Sequence, residues 1–202
     1  MAQQMSEAEG FEPTAFIRKE EQKDYFDSIN VPSIVESLES TEETISGAIK
    51  GFDAVVFSAG SGGSTGYDKT IEIDLYGAVK SINAAKTNGI KRFVMVGAAF
   101  SDVPAYWSDT MKPYYIAKQL ADKELIRSGL DYTILRPVKL TDEDEPGKIT
   151  IESDPYQLNK EIPRSAVAKT VLTVLPDESS YGKILEMSEG NKEIETAIKE
   201  FV

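Results

Sequence analysis

The sequence predicts an α/β fold, a parallel sheet with helices covering both faces. Short apolar runs alternate along the chain with helical patterns of roughly ten residues or more, the signature of successive β-α-β units. Runs such as "DAVVFSA" and "KRFVMVGAA" are continuously apolar rather than alternating, as strands buried on both faces are. The 202 residues suit one full-sized domain, and no repeat, linker or low-complexity segment divides them, so a single domain over 1–202 is expected.

The elements follow in order. "TAFIR" (14–18) reads as a strand, followed by the polar helix "KEEQKDYFDSI". "PSIVESL" (32–38) is a second strand. "STEETISGAIKGF" (40–52) is a helix, with Ser40 as N-cap and Glu43 as its capping-box partner. "DAVVFSA" (53–59) is a buried strand. "DKTIEIDLYGAVKSINAAKTNG" (68–89) carries a helical stripe of Ile71, Leu75, Ala78, Val79, Ile82 and Ala85, closed by Gly89. "KRFVMVGAA" (91–99) is a strand, "YYIAKQLADKELIRSG" (114–129) a helix closed by Gly129, and "DYTILRP" (131–137) a strand stopped by Pro137. "EDEPGK" (143–148) is a turn and "KITIES" (148–153) a short strand. "SAVAKTVLTVL" (165–175) is a helix, "KILEMS" (183–188) a strand and "KEIETAIKEF" (192–201) a final helix.

Composition narrows the function. There are no cysteines, which excludes disulfides, thiolate metal sites and Cys nucleophiles. There are no histidines either, so proton transfer falls to Tyr, Lys, Asp or Glu. The net charge of −12 disfavours nucleic acid and anionic membranes as partners. No apolar run approaches the length of a membrane span, and the N-terminus has no secretory pattern, so a cytoplasmic protein is expected. The acidic run "TDEDEP" reads as a solvated turn rather than a metal site.

Two patterns point to chemistry. In "FSAGSGGSTG" (57–66), Gly60, Gly63 and Gly66 fit G-x-x-G-x-x-G directly after a strand, the form of a dinucleotide phosphate cradle. Two β-α units precede it, however, and the next strand ends about 36 residues on in "GAAF", without an acid or Arg to read a ribose. Cradle, strand tip and ligand-free glycine loop all remain open. Tyr114 and Lys118 form Y-x-x-x-K, and the i,i+4 spacing puts both side chains on one helix face. A surface Lys beside a half-buried Tyr would give the same pattern. "VPAYWSDTMKPYY" gathers Trp107, Tyr106, Tyr114 and Tyr115, either lining a pocket or packing.

In order and spacing, "NGIKRFVMVG", "PYYIAKQLADKELIRSGLDYTILRP", "LTDEDEPGKI" and "IPRSAVAKTVL" resemble the atypical short-chain dehydrogenase/reductase family, and within it the small NAD(P)-binding, NmrA-like bacterial members. The resemblance runs from about Thr14 to the C-terminus. It implies a Rossmann-like sheet of order 3-2-1-4-5-6-7, with "TAFIR" as second strand, "SIVESL" as third and "DAVVFSAG" as fourth. The family's first strand and its glycine loop have no counterpart in the sequence. Either the record starts downstream of them, or the second and fourth strands close directly on each other.

The resemblance also implies roles. Tyr114 is the acid/base at a substrate oxygen, and Lys118 lowers its pKa and binds the nicotinamide ribose. Tyr115 is the neighbouring alternative, but its +4 partner is the uncharged Gln119. The Ser or Thr that usually ends the fifth strand is missing from Val96-Gly97-Ala98, and Ser101 lies too far along to replace it simply. Gly97 therefore puts carbonyl reduction in question. Ser58, Ala59 and Gly60 would face the ribose and pyrophosphate, Ser37 and Leu38 the adenine, and Pro137 and Val138 the nicotinamide. Arg18, helped by Lys19, would contact a 2′-phosphate and favour NADP over NAD, or be a solvated strand end. Lys139 could meet an acidic substrate or be solvated. Asp74 and Gly77 match a family D-x-x-G and read as structural.

The expected function is thus an NADP-dependent oxidoreductase acting on an unknown small molecule, as monomer or homodimer. The alternatives are a non-catalytic NAD(P)-binding regulator or redox sensor, and a chain that binds no nucleotide.

Overall fold

The computed structural model describes every residue except Ser64 and 144–146. The "EDEPGK" turn and the "TDEDEP" run fall largely on 144–146, outside the described residues. The main sheet has five strands in the order β3 (Ala54–Phe57), β4 (Arg92–Val96), β5 (Asp131–Pro137), β9 (Lys183–Glu189) and β7 (Ile149–Glu152). The first four are parallel, and β7 joins β9 antiparallel. Two further parallel pairs stand apart: β1 (Ala15–Ile17) with β2 (Ser33–Val35), and β6 (Lys139–Thr141) with β8 (Glu161–Pro163).

Each central strand buries both faces, which is why the apolar runs do not alternate. Phe93 and Met95 of β4 pack with Phe57, Ile82, Ala121 and Leu125 under α5 (Tyr76–Thr87) and α6 (Lys112–Arg127). Val94 between them points the other way, with Leu135, Leu185 and Met187, under α7 (Arg164–Val174) and α8 (Ile194–Phe201). α1 (Ala2–Ser6) adds Met5 to that second cluster. Each fully buried large side chain contributes about 1.5–3 kcal/mol relative to exposure. The remaining helices are α2 (Lys23–Ser28), α3 (Glu42–Ala48) and α4 (Tyr67–Lys69).

Several expectations change. α1, β6 and β8 were not foreseen, being too short to carry a periodic signal. Thr41, not Ser40, caps α3, its hydroxyl accepting from Thr44 N at 3.2 Å, while Ser40 Oγ donates to Glu36 Oε1 at 2.5 Å. β1 and β3 do not pair; each bonds only to its neighbour on the far side, so the direct closure considered above does not occur. The long helix runs continuously from α4 through a π-helical segment, Thr70–Leu75, into α5. A π turn takes more residues per turn and shifts the phase of the buried face. Ile71, placed in the buried stripe by helical spacing, is 57% exposed, while Ile73 and Asp74 turn inward. The Asp74 carboxylate enters the site described below.

Arg92 holds the sheet to the C-terminus of α7. It is buried on β4 and donates to the carbonyls of Val174, Leu175 and Asp131 and to Thr133 Oγ1 and Ser180 Oγ, at 2.7–3.2 Å. The cation also faces the negative end of the helix dipole. Arg92→Met should lower unfolding stability in urea by about 2–4 kcal/mol, because it strands several buried acceptors at once. A loss under about 1 kcal/mol would contradict this role.

Among the described residues, no helix is long and apolar enough to cross a membrane.

Candidate functional site

The parallel strands β3, β4 and β5 end along one edge of the sheet, where α6 and the π segment meet them. Lys118 of α6 is 5% exposed. Its ammonium lies 3.3 Å from Asp74 Oδ1 and 3.5 Å from the carbonyl of Ala59. Asp74 Oδ2 accepts from the backbone N–H of Ser61 at 2.9 Å. One buried carboxylate thus ties the end of β3 to two helices. Gly60 eases this approach, since a Cβ there would sit 3.0 Å from Asp74 Oδ1 and the carboxylate would have to give way. Asp74, read from sequence as structural, stands in the site itself. Gly77 is a packing residue as expected: a Cβ would press on Leu38 Cβ at 3.2 Å, so Leu38 is held against α5.

Tyr114 lies one turn before Lys118, its ring centroid 5.8 Å from the ammonium. The expected lowering of its pKa is not found. Burial pushes the phenol well above its ordinary value, and the negative charge of Asp74 adds to this. The reason is geometric: Lys118 turns its charge to Asp74 and Ala59. Tyr114 is therefore held as a protonated hydrogen-bond donor.

Gly97 faces a second charged group. A Cβ at Gly97 would lie 3.0 Å from Asp122 Oδ1 and 3.5 Å from Arg136 Cγ. The space where the family's hydroxyl would stand is filled from α6 and β5. Arg136 is buried and donates from Nε to Asp122 Oδ2 at 2.8 Å and from a terminal nitrogen to Glu186 Oε1 at 3.0 Å. Its other terminal nitrogen pairs with Asp102 Oδ2 at 2.6 Å. Burial draws the Arg136 pKa down, but the three carboxylates outweigh this and leave it raised. Burial pushes the Asp122 carboxyl up to about 6 against the opposing pull of Arg136, and it also raises Glu186. Among the described residues, Asp122 Oδ1 and Glu186 Oε2 are buried without a hydrogen-bond partner. Ser101 is fully buried, its Oγ 3.5 Å from Asp122 Oδ2, so its hydroxyl is turned inward.

The aromatic segment joins this cluster through Asp102 on Arg136 and through the Phe100 N–H, which faces the Glu186 carboxylate. Phe100 has a left-handed backbone, φ +65°, rare for a residue with a side chain. Its ring stacks on Tyr106 at 3.8 Å and meets Tyr156 edge-on at 5.4 Å. The indole N–H of Trp107 donates to the Phe100 carbonyl at 2.9 Å, and its ring stacks on Tyr115 at 6.0 Å.

The other sequence candidates lie on or just past several different strands. Ser58 is exposed and Ala59 half-buried just past β3. Arg18 and Lys19 are exposed past β1, their backbone N–H groups donating to Gln22 Oε1 at 3.2 and 3.1 Å. Ser37 follows β2, and its Oγ already accepts from Glu39 N at 3.0 Å. The backbone of Pro137 and Val138 is engaged in the fold: the Pro137 carbonyl accepts from Ala99 N and Val138 N donates to the Met187 carbonyl. Lys139 pairs with Glu161 across β6–β8 at 2.5 Å.

The structure brings Tyr114, Lys118, Ala59 and Gly60 together, and leaves Arg18 and Ser37 on the separate β1–β2 pair. Sequence reasoning missed Asp122, Arg136 and Glu186. A partial signal existed in the four-residue spacing that carries the Tyr114–Lys118 face on to Asp122.

A parallel sheet with helices on both faces and polar groups gathered at the carboxyl ends of its strands defines a Rossmann-type α/β protein. The chain belongs to the NAD(P)H-binding family, whose profile matches residues 1–178. It is 44% identical over 185 residues to YhfK of Bacillus subtilis, named an uncharacterized sugar epimerase, covering 92% of this chain and 86% of that one. It is 34% identical over 195 residues to the UPF0659 protein YMR090W of Saccharomyces cerevisiae, covering 93% and 86%. Among solved structures, a Bacillus halodurans protein named for the NAD-dependent epimerase/dehydratase class superposes with a TM-score of 0.91 at 38% identity, covering 98% and 91%. The oxidoreductase ylbE of Lactococcus lactis superposes at 0.83 with 31% identity, covering 98% and 88%. The chain is thus related to NAD(P)H-binding proteins named for the epimerase/dehydratase class and for oxidoreductases.

Proposed function

We propose that this protein, acting as a single domain over 1–202, is an NADPH-dependent oxidoreductase that reduces a small molecule, with Tyr114 as proton donor. The observation that carries the reading is Lys118, fixed by Asp74 at the tip of β3 beside a protonated Tyr114. The residues present fit a dinucleotide there. Ala59 and Gly60 offer backbone where a Cβ would crowd Asp74, and Lys118 offers donors for ribose hydroxyls. Bound NADPH supplies the hydride. Tyr114 holds its proton at the phenol oxygen and gives it to the substrate oxygen as negative charge develops there. The raised phenol pKa keeps Tyr114 protonated in the free protein, and Lys118 beside it is the group that would ease release of that proton. Arg18 and Lys19 favour NADPH over NADH through the 2′-phosphate.

Titration with NADPH and NADH, followed by cofactor fluorescence, tests this directly. Arg18→Ala should weaken NADPH binding by about tenfold and leave NADH within about twofold. Tyr114→Phe should keep NADPH affinity and cut turnover by about a hundredfold or more. Failure of both cofactors to bind, or unchanged turnover in Tyr114→Phe, would sink the reading.

A second reading, a non-catalytic NAD(P)-binding regulator of NmrA-like type, is favoured by one observation. The place of the substrate-binding hydroxyl is Gly97, and Asp122 fills it. NADPH binding with no hydride transfer to any of a panel of carbonyl compounds would support this alternative.

A further inference from the structure

Three carboxylates surround one buried cation. Asp122 comes from α6, Glu186 from β9 and Asp102 from the loop after β4, all on Arg136. If all three were ionised the cluster would carry two uncompensated negative charges in a site of low dielectric. Two of its oxygens, Asp122 Oδ1 and Glu186 Oε2, have no hydrogen-bond partner among the described residues. A buried carboxylate oxygen without a donor is where a bound proton lowers the energy most. Asp122 is the better holder. It is fully buried on a rigid helix, against 6% exposure for Glu186. The other polar groups facing it are Arg136, Lys118 one turn earlier, Asp102 and the Ser101 hydroxyl. Asp74 faces it only through Lys118.

The three carboxylates differ in freedom to move. Asp122 and Glu186 sit on rigid elements, with side chains 0% and 8% exposed. Asp102 sits on a loop, with its side chain 47% exposed and its other oxygen on Gln119 at 3.3 Å. Two residues before it, Phe100 carries the strained backbone and the carbonyl that holds Trp107.

We propose that Asp122 binds a proton and that this proton clasps the aromatic loop: with Asp122 neutral, Arg136 holds Asp102 and the loop closed, and with Asp122 ionised, Asp102 is repelled and the loop opens. The step is a simple proton exchange between the Asp122 carboxyl and water. Ionisation strengthens the Arg136–Asp122 pair and adds repulsion among three carboxylates. The solvent-facing one leaves, and Tyr106 and Trp107 after it move with it. The Phe100 N–H stays on Glu186, and the Trp107 indole is drawn off the Phe100 carbonyl. The aromatic face beside Tyr114 then differs on the two sides of the transition. The clasp does not depend on what the site binds.

The chain supplies its own probe and a clear window. Trp107 is its single tryptophan, and it has no histidine to titrate near neutrality. The Met1 amine, lowered by burial, lies in the other core cluster, and substitution at Asp122 leaves it in place. Trp107 emission of the full chain, followed from pH 4.5 to 8.5, should show one transition within about one unit of pH 6. Asp122→Asn should abolish it and fix the emission near its low-pH value. Asp102→Asn should uncouple the indole and flatten the curve. Infrared difference spectra between about pH 5.5 and 8.5 should lose a protonated-carboxyl band in the unsubstituted chain that Asp122→Asn lacks, which reads the proton directly. A flat emission curve, a transition unchanged in Asp122→Asn, or the absence of that band would overturn the proposal.

Discussion

Arg136→Met is expected to destabilise the protein by about 3–5 kcal/mol at pH 8, the cost of leaving buried carboxylates without their counter-charge. Asp122 and Glu186 would both lose their strongest partner. The deficit should depend on pH with a definite sign. The folded-state pKa of Asp122 is raised to about 6, above its ordinary value, so between those two pH values the folded state binds more protons than the unfolded one. Stability contributed by this group is therefore highest at acid pH and falls as pH rises towards the folded pKa. Without Arg136 the carboxyl is pushed further up, so the window extends upward and the deficit grows with pH. Urea denaturation at pH 5 and pH 8 measures both arms. Arg136→Met with Asp122→Asn should recover a substantial part of the loss at pH 8, because a neutral amide replaces the buried charge. A deficit equal at the two pH values, or no recovery in the double variant, would show that Arg136 acts by packing alone.

Lys118→Met carries the second large effect. Asp74 is 2% exposed and would keep only the Ser61 N–H as partner. A loss of about 3 kcal/mol is expected, as for other buried pairs broken on one side. Lys118→Met with Asp74→Asn should be closer to the parent in stability, since the unpaired charge is gone. The same double variant should still bind NADPH at least tenfold more weakly, because Lys118 is the proposed donor to the ribose. Stability and affinity separate the two roles. Recovery of stability without recovery of binding fits a residue that both braces the site and contacts the cofactor. Full recovery of both would leave Lys118 structural.

Much of the fold was legible because its strands carry their burial openly. "DAVVF" and "RFVMV" are apolar on both faces, and Phe93 and Val94 enter opposite core clusters. Gly89 and Gly129 close their helices with φ of +71° and +78°, as glycine after a helical stripe suggests. The Tyr114–Lys118 pairing on one helix face was readable from spacing alone. The role of Lys118 was not. Its partner Asp74 lies 44 positions away on another helix, and no local pattern pairs the two.

The stretch "FSAGSGGSTG" marks the same boundary. Sequence placed a glycine-rich turn after a buried strand. The fold decided that the strand is β3, at one edge of its sheet, and that Gly60 makes room for Asp74. Gly97 is parallel: sequence registered a missing hydroxyl, and only packing disclosed that Asp122 and Arg136 occupy the space. By itself the sequence determined the α/β class, the strand and helix order and the helix that carries Tyr114 and Lys118, because these rest on periodicity and local turn chemistry. The tertiary structure alone decided which carboxylates meet Lys118 and Arg136, because charge pairing between distant segments depends on helix phase and strand register, which no local pattern encodes.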